Sequence, residues 1–119
     1  MRKLVDANVV LRYMLHDDED QFSAAERTIC EGAYLLPEVL AEIVYVLLGV
    51  YSVPRAEIAL RLQLLVDEVQ TEHPEVLKSA LEMFGSSKLD FVDCLLVAYN
   101  NRLGYNVVSF DRKLNRLLQ

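Results

Sequence analysis

Apolar residues along the chain fall into two patterns. Lys3-Leu4-Val5, Ala33 to Leu36 and Tyr105 to Ser109 (YNVVS) are brief apolar runs closed by polar residues, which is how short buried strands read. Elsewhere apolar positions recur every three or four residues, the spacing of one helix face. Val9, Val10, Tyr13 and Met14 give a first helical stretch. Gln21 to Glu31 sets Phe22, Ala25 and Ile29 on one stripe and ends near Gly32. Pro37 suits the first turn of a helix running on through Val39 to Val50. After the break at Ser52-Val53-Pro54, Arg55 to Val69 carries Ile58, Leu62, Leu65 and Val69. VQTEHP offers a brief strand, Pro74 opens a helix through Phe84, Asp90 to Leu103 is helical, Gly104 ends it, and Asp111 caps a last turn. The order is β-α-α-β-α-α-β-α-α-β-α. It predicts a three-layer α/β/α fold, with a short central parallel sheet of four to five strands flanked by helices.

One position breaks the pattern. In LPEVLAEIVYVLLGV (residues 36–50), Glu42 is the only charged residue between Glu38 and Arg55. A carboxylate left unpaired among apolar groups costs several kcal/mol unless it protonates or meets a cation. Arg12 or Arg102 could supply an ion pair; a hard divalent cation answers better, since Mg²⁺ and Mn²⁺ take oxygen ligands.

Composition narrows the field. A chain of 119 residues with 53% apolar content reads as one domain, 1–119, able to bury a core without staples. Cys30 and Cys94 match no CxxC or zinc spacing and read as reduced core thiols; His16 and His73 lack ligand spacing and read as exposed. No export signal is visible, and the uncharged stretch Ile43 to Pro54 falls short of the roughly 20 residues of a membrane span, so a cytoplasmic protein is expected. Eighteen acids against twelve bases give a net charge of −6. That argues against nucleic-acid binding through overall charge, but not against a local basic rim or an acidic pocket that turns cationic on binding metal.

The acids line up with the predicted architecture. Asp6 follows the first strand and Asp111 the last, while Asp90 and Asp93 open the helix before that last strand. In a parallel sheet the strand C-terminal ends share one edge, so Asp6 and Asp111 belong there, and Glu42, in the second turn after strand two, can point back to it. Capping would account for Asp6, Asp90 and Asp111, and the helix dipole for Asp93. Four carboxylates at one edge repel one another. A pair of divalent ions about 3.5–4 Å apart would relieve this, and such sites activate water for in-line phosphodiester hydrolysis.

LVDANVVLRYML, LPEVLAEIVYVL, LDFVDCLLVAYN and VVSFDRKLNRL, in that order, resemble the PIN domain, most closely the VapC-type toxins of prokaryotic toxin–antitoxin modules. The resemblance spans essentially the whole chain. It implies catalytic and metal-binding roles for Asp6, Glu42, Asp93 and Asp111, with Asp90, Asn8 and Ser109 as auxiliaries. It implies a Mg²⁺- or Mn²⁺-dependent endoribonuclease using one or two ions on single-stranded RNA, a homodimer, and a cognate antitoxin. Arg12, Lys88 and Arg112, with Arg102, Lys113 and Arg116, are the cations nearest the predicted edge for RNA. A fifth strand is common in the family, and whether one forms here is open.

Rival readings are weaker. A haloacid-dehalogenase-type phosphatase needs Asp-x-Asp, and here Asn8 holds the second place. A receiver domain needs a phosphoacceptor at the mid-chain strand end, where Leu36-Pro37 stands. The serious alternative is a catalytically inactive PIN-like binding module acting through a protein partner.

Overall fold

The computed structural model describes residues 2–119 as seven helices: α1 (Ala7–Leu15), α2 (Glu19–Cys30), α3 (Pro37–Gly49), α4 (Arg55–Glu68), α5 (Pro74–Gly85), α6 (Phe91–Leu103) and α7 (Arg112–Leu117). Local chemistry sets their starts. Asp6, Asp18 and Asp111 each accept a hydrogen bond from a first-turn amide, of Val9, Gln21 and Leu114, at 3.1, 2.9 and 2.9 Å. Pro37 and Pro74 open α3 and α5, where the missing N–H is harmless. Gly104, at φ 72°, closes α6 in the left-handed region that favours glycine.

Between these helices, three short stretches of backbone bond side by side. The Tyr34 amide donates to the Lys3 carbonyl at 2.8 Å, and the Val5 amide donates to the Tyr34 carbonyl at 3.4 Å. On the other flank the Leu35 amide donates to the Gln70 carbonyl and the Gln70 amide to the Ala33 carbonyl, both at 2.8 Å. The result is two isolated parallel bridges, Leu4 with Tyr34 and Tyr34 with Gln70.

This overturns the expected three-layer α/β/α architecture with a central parallel sheet of four to five strands: among the described residues no extended sheet forms. The reason is local. Asp6 and Pro37 start helices within two residues of their bonded stretches, and beyond Gln70 the Thr71 hydroxyl donates to the Leu35 carbonyl at 2.9 Å where a backbone rung would continue the ladder. The VQTEHP segment contributes only Gln70. The Tyr105–Ser109 segment joins no strand or bridge, and within and beside it Val108 is 81% exposed and Phe110 fully exposed. Buried Asn100 holds this segment against α6 instead. Its Nδ2 donates to the Tyr105 carbonyl at 2.8 Å and to the Gln119 carbonyl at 3.3 Å, while its Oδ1 accepts from the Gln119 amide at 2.7 Å. The Tyr99 and Tyr105 rings stack at 5.7 Å beside it.

Helix packing therefore carries the core. Ile58 and Leu62 of α4, Leu77, Leu81 and Phe84 of α5, and Phe91 and Cys94 of α6 are buried in one cluster with Val10 of α1 and Leu40 and Val44 of α3. The smallest dimension of the fold is 19 Å, room for two helical layers at 8–10 Å spacing. Backbones of α4 and α5 approach closely at Gly85, where a methyl group would lie 2.6 Å from Ala59 Cβ. Cys94 is buried as expected, whereas Cys30 is exposed on α2 rather than in the core. No helix among the described residues is long and apolar enough to cross a membrane.

Two substitutions test this packing in urea titrations. Gly85→Ala should cost about 1–3 kcal/mol by overpacking. Asn100→Ala, which strips the hook from the last fifteen or so residues, should cost a similar 1–3 kcal/mol and admit protease between α6 and α7; a protected C-terminal segment in that variant would refute the hook.

Candidate active site

Asp90 occupies the N-cap position of α6 yet makes no capping hydrogen bond with its side chain. Asp93 stands in the first turn of the same helix and is half-buried. Burial raises the Asp93 pKa above the ordinary 3.8, and the negative charges of Asp90 and then Asp111 push it further. Asp111 reaches this neighbourhood from the last loop, which is locked in shape. The Asp111 amide donates to Ser109 Oγ at 3.0 Å, and Asn115 Nδ2 donates to the Ser109 carbonyl at 2.9 Å. The charges of Asp90 and Asp111 thus bear on Asp93, and Ser109 shapes the turn that carries Asp111.

Glu42 and Asp6 do not join that group. Glu42 is exposed on α3, so the burial cost inferred from its apolar sequence neighbours does not arise. Those neighbours lie on other sides of the helix, since successive residues turn about 100°. Asp6 is exposed and its Oδ1 is engaged in capping α1. Among the described residues, no group of three or more His, Cys, Asp or Glu is arranged to hold a metal ion. The chemistry of Asp90, Asp93 and Asp111 suits a hard cation, being all oxygen with negative charge in excess; the geometry as it stands is not a closed ligand set.

Beside Asp90 and Asp93 lies a groove of about 290 Å³, walled by Ala41, Val44, Tyr45 and Leu48 of α3, by Phe84, Phe91 and Val92, and at one end by Arg55. Sequence gives no sign of Arg55, because only its three-dimensional partners reveal it. Its Nε donates to the Phe84 carbonyl at 3.0 Å, its Nη2 donates to the Leu89 carbonyl, and its guanidinium lies 3.8 Å from the Phe84 ring centroid. The clamp ties the start of α4 to the turn that delivers Asp90. Behind it, burial pushes the Cys94 thiol up to about 11, with the Arg55 charge opposing the rise, so that thiol is inert.

The remaining candidates are scattered. Asn8 is exposed and lines a separate pocket with Arg12, Gln21 and Thr28. Arg12 is committed inside the fold: Nη1 donates to Asp17 at 2.8 Å and Nη2 to the Tyr51 hydroxyl at 3.2 Å. The Tyr51 bond is the main cause of its raised pKa, with burial opposing and Asp17 adding to the rise. Lys88, Arg102, Arg112, Lys113 and Arg116 are exposed, Lys88 and Arg112 within two residues of Asp90 and Asp111 in sequence.

The PIN domain profile matches residues 3–117. The chain belongs to the PIN domain family. Neither a curated protein nor a solved structure matches it individually. PIN domains are generally nucleases and usually use divalent metals, so membership points to a nuclease-type function, with nucleic acid as the implied ligand. The match also bears an α/β expectation that the helical structure departs from, most visibly at the unpaired Tyr105–Ser109 segment.

The raised Asp93 pKa has a consequence for stability. The folded chain holds that proton more readily than the unfolded chain, so this group stabilises the fold below its ordinary pKa of 3.8, and the contribution is lost as pH rises through the higher folded value. Asp93→Asn should therefore have a higher urea midpoint than wild type near pH 7, with the difference closing at about pH 3. Equal midpoints near neutrality would show that Asp93 is not crowded.

Proposed function

We propose that this PIN domain is a metal-dependent endoribonuclease that hydrolyses phosphodiester bonds of single-stranded RNA. The observation that carries the reading is the half-buried Asp93, which lines the α3–α6 groove with Asp90 and whose pKa is raised by burial and by the charges of Asp90 and Asp111. The family segments give Asp6, Glu42, Asp93 and Asp111 catalytic and metal-binding roles, with Asp90, Asn8 and Ser109 as helpers. Asp93, with Asp90 and Asp111, would hold Mg²⁺ or Mn²⁺, and the family segments add Asp6 and Glu42 to that set. A bound divalent ion would supply charge to a phosphoryl oxygen and lower the pKa of water at the site.

The chain's own groups do the rest. The negative charges of Asp90 and Asp111 acting on half-buried Asp93 favour a cation beside it. Ser109 holds Asp111 in its turn, and Arg55 holds the Phe84–Leu89 turn ahead of Asp90, which steadies the backbone that carries both acids. Half-burial of Asp93 thins the water around the reacting phosphate and strengthens each electrostatic contact there.

In the cell we read the chain as the toxin of a VapBC-type pair, cytoplasmic, homodimeric and held in check by a cognate antitoxin protein. The four family segments in order support this, and the exposed apolar positions Leu60 and Leu64 on α4 give a partner protein surface to cover.

Single-stranded RNA incubated with the protein and Mn²⁺ should be cut internally, and EDTA should stop the cutting. Asp93→Asn should lower the rate at least about 100-fold, the scale of losing several kcal/mol of charge stabilisation, while Arg12→Lys leaves it within about threefold. Cleavage by Asp93→Asn at the wild-type rate would overturn the assignment, and RNA untouched by wild type with every divalent ion would favour an inactive module.

A further inference from the structure

We infer that the groove between α3 and α6 is a nucleobase subsite, in which the Tyr45 ring stacks on a base of single-stranded nucleic acid next to the phosphate at Asp93. The inference deepens the nuclease reading and rests on it for the position of that phosphate.

The shape selects a small flat guest. Ala41 leaves a depression on α3, and the rings of Phe84 and Phe91, edge to face at 5.9 Å, line it. About 290 Å³ is at the bottom of the range for small-molecule sites, roughly 300–1,000 Å³, and far too small for a helix about 10 Å across. Tyr45 lines the groove with 80% of its surface in solvent, and Val92 lines it at 56%. An aromatic ring placed so offers a stacking face, and every base has one to match. The polar groups of the groove are Arg55, Asp90 and Asp93, and all other walls are apolar apart from the Tyr45 hydroxyl. Such a lining suits a base whose sugar and phosphate leave on the side of the acids.

Charge argues the same way. The chain has a net charge of −6, and several of its cations are already taken. Lys3, Arg12, Arg61 and Lys78 are paired with Glu31, Asp17, Glu57 and Asp67, and Arg55 with two carbonyls. Lys88, Arg102, Arg112, Lys113 and Arg116 stay exposed but none of them lines the groove, so what the groove itself adds to RNA affinity comes from stacking. Binding through this subsite is accordingly less sensitive to salt than binding by a basic patch.

The test is fluorescence anisotropy of a short labelled single-stranded RNA, in EDTA so that nothing is cut and again with Ca²⁺ to neutralise the acids. Tyr45→Ala should weaken binding about 10-fold or more, and Tyr45→Phe should stay within about twofold of wild type. Because Tyr45 is exposed, both variants should keep the wild-type urea midpoint. One abasic site, moved along the RNA, should at one position bring wild type down to the Tyr45→Ala affinity and cost that variant nothing more. Tyr45→Ala should leave the log–log salt slope of binding unchanged, because stacking releases no counterions. Equal affinity of Tyr45→Ala and wild type overturns the inference, as does indifference to every abasic position, or no RNA binding at all. Tyr45-dependent self-association without RNA binding overturns it too, and assigns the groove to protein. The two readings fail separately. RNA bound through Tyr45 but never cut, with any divalent ion, removes the nuclease and leaves the subsite; cleavage lost in Asp93→Asn with Tyr45 irrelevant removes the subsite alone.

Discussion

Four backbone hydrogen bonds around Tyr34 set the plan of this protein. They join Lys3–Val5, Ala33–Leu35 and Gln70 in parallel, and each stretch runs within a few residues into a helix start. Parallel pairing gives the three chain directions a common sense, so α1, α3 and α5 leave from the same side of the ladder. Asp6 and Pro37 turn the first two stretches into helices at once, and the Thr71 hydroxyl occupies the Leu35 carbonyl beyond Gln70. The same residues therefore align the helices and prevent a sheet. A fold built this way depends on helix contacts, and a close one, at Gly85, stands beside the Arg55 clamp that steadies the turn before Asp90.

That arrangement explains why some features are legible in sequence and others are not. Helix boundaries can be read because they depend on local chemistry: Pro37 and Pro74 at first turns, Gly104 at a left-handed end, Asp111 on its own amides. The Tyr105–Ser109 run reads as a strand because its apolar residues favour extended backbone, yet it joins no ladder. Whether an edge comes to meet it is a non-local matter, decided here by Asn100 and Gln119, nineteen residues apart. Nothing in the linear pattern marks Asn100 as the residue that closes the C-terminal loop.

The site divides in the same way. Asp90, Asp93 and Asp111 lie on adjoining elements, so their grouping can be read from the chain. Glu42 reads as buried in the linear pattern, but apolar neighbours in sequence are not neighbours on a helix surface. Arg55 and Tyr45 carry no signal at all: one is an arginine after a proline, the other an aromatic in an apolar helix, and only the groove gives them work. The conflict between the family's α/β expectation and the helical chain falls on the segment leading into Asp111, an acid delivered by backbone that no ladder anchors.

The two cysteines end up in opposite circumstances. Cys94 is sealed under the groove with its thiol held far from ionisation, while Cys30 sits on the outer side of α2, remote in sequence from Asp90, Asp93 and Asp111. The folded chain thus presents a single addressable sulfur. A maleimide dye or spin label would attach there without engineering, and its signal would follow α2 as a fixed reference against which movement of the helices bearing the acids can be tracked.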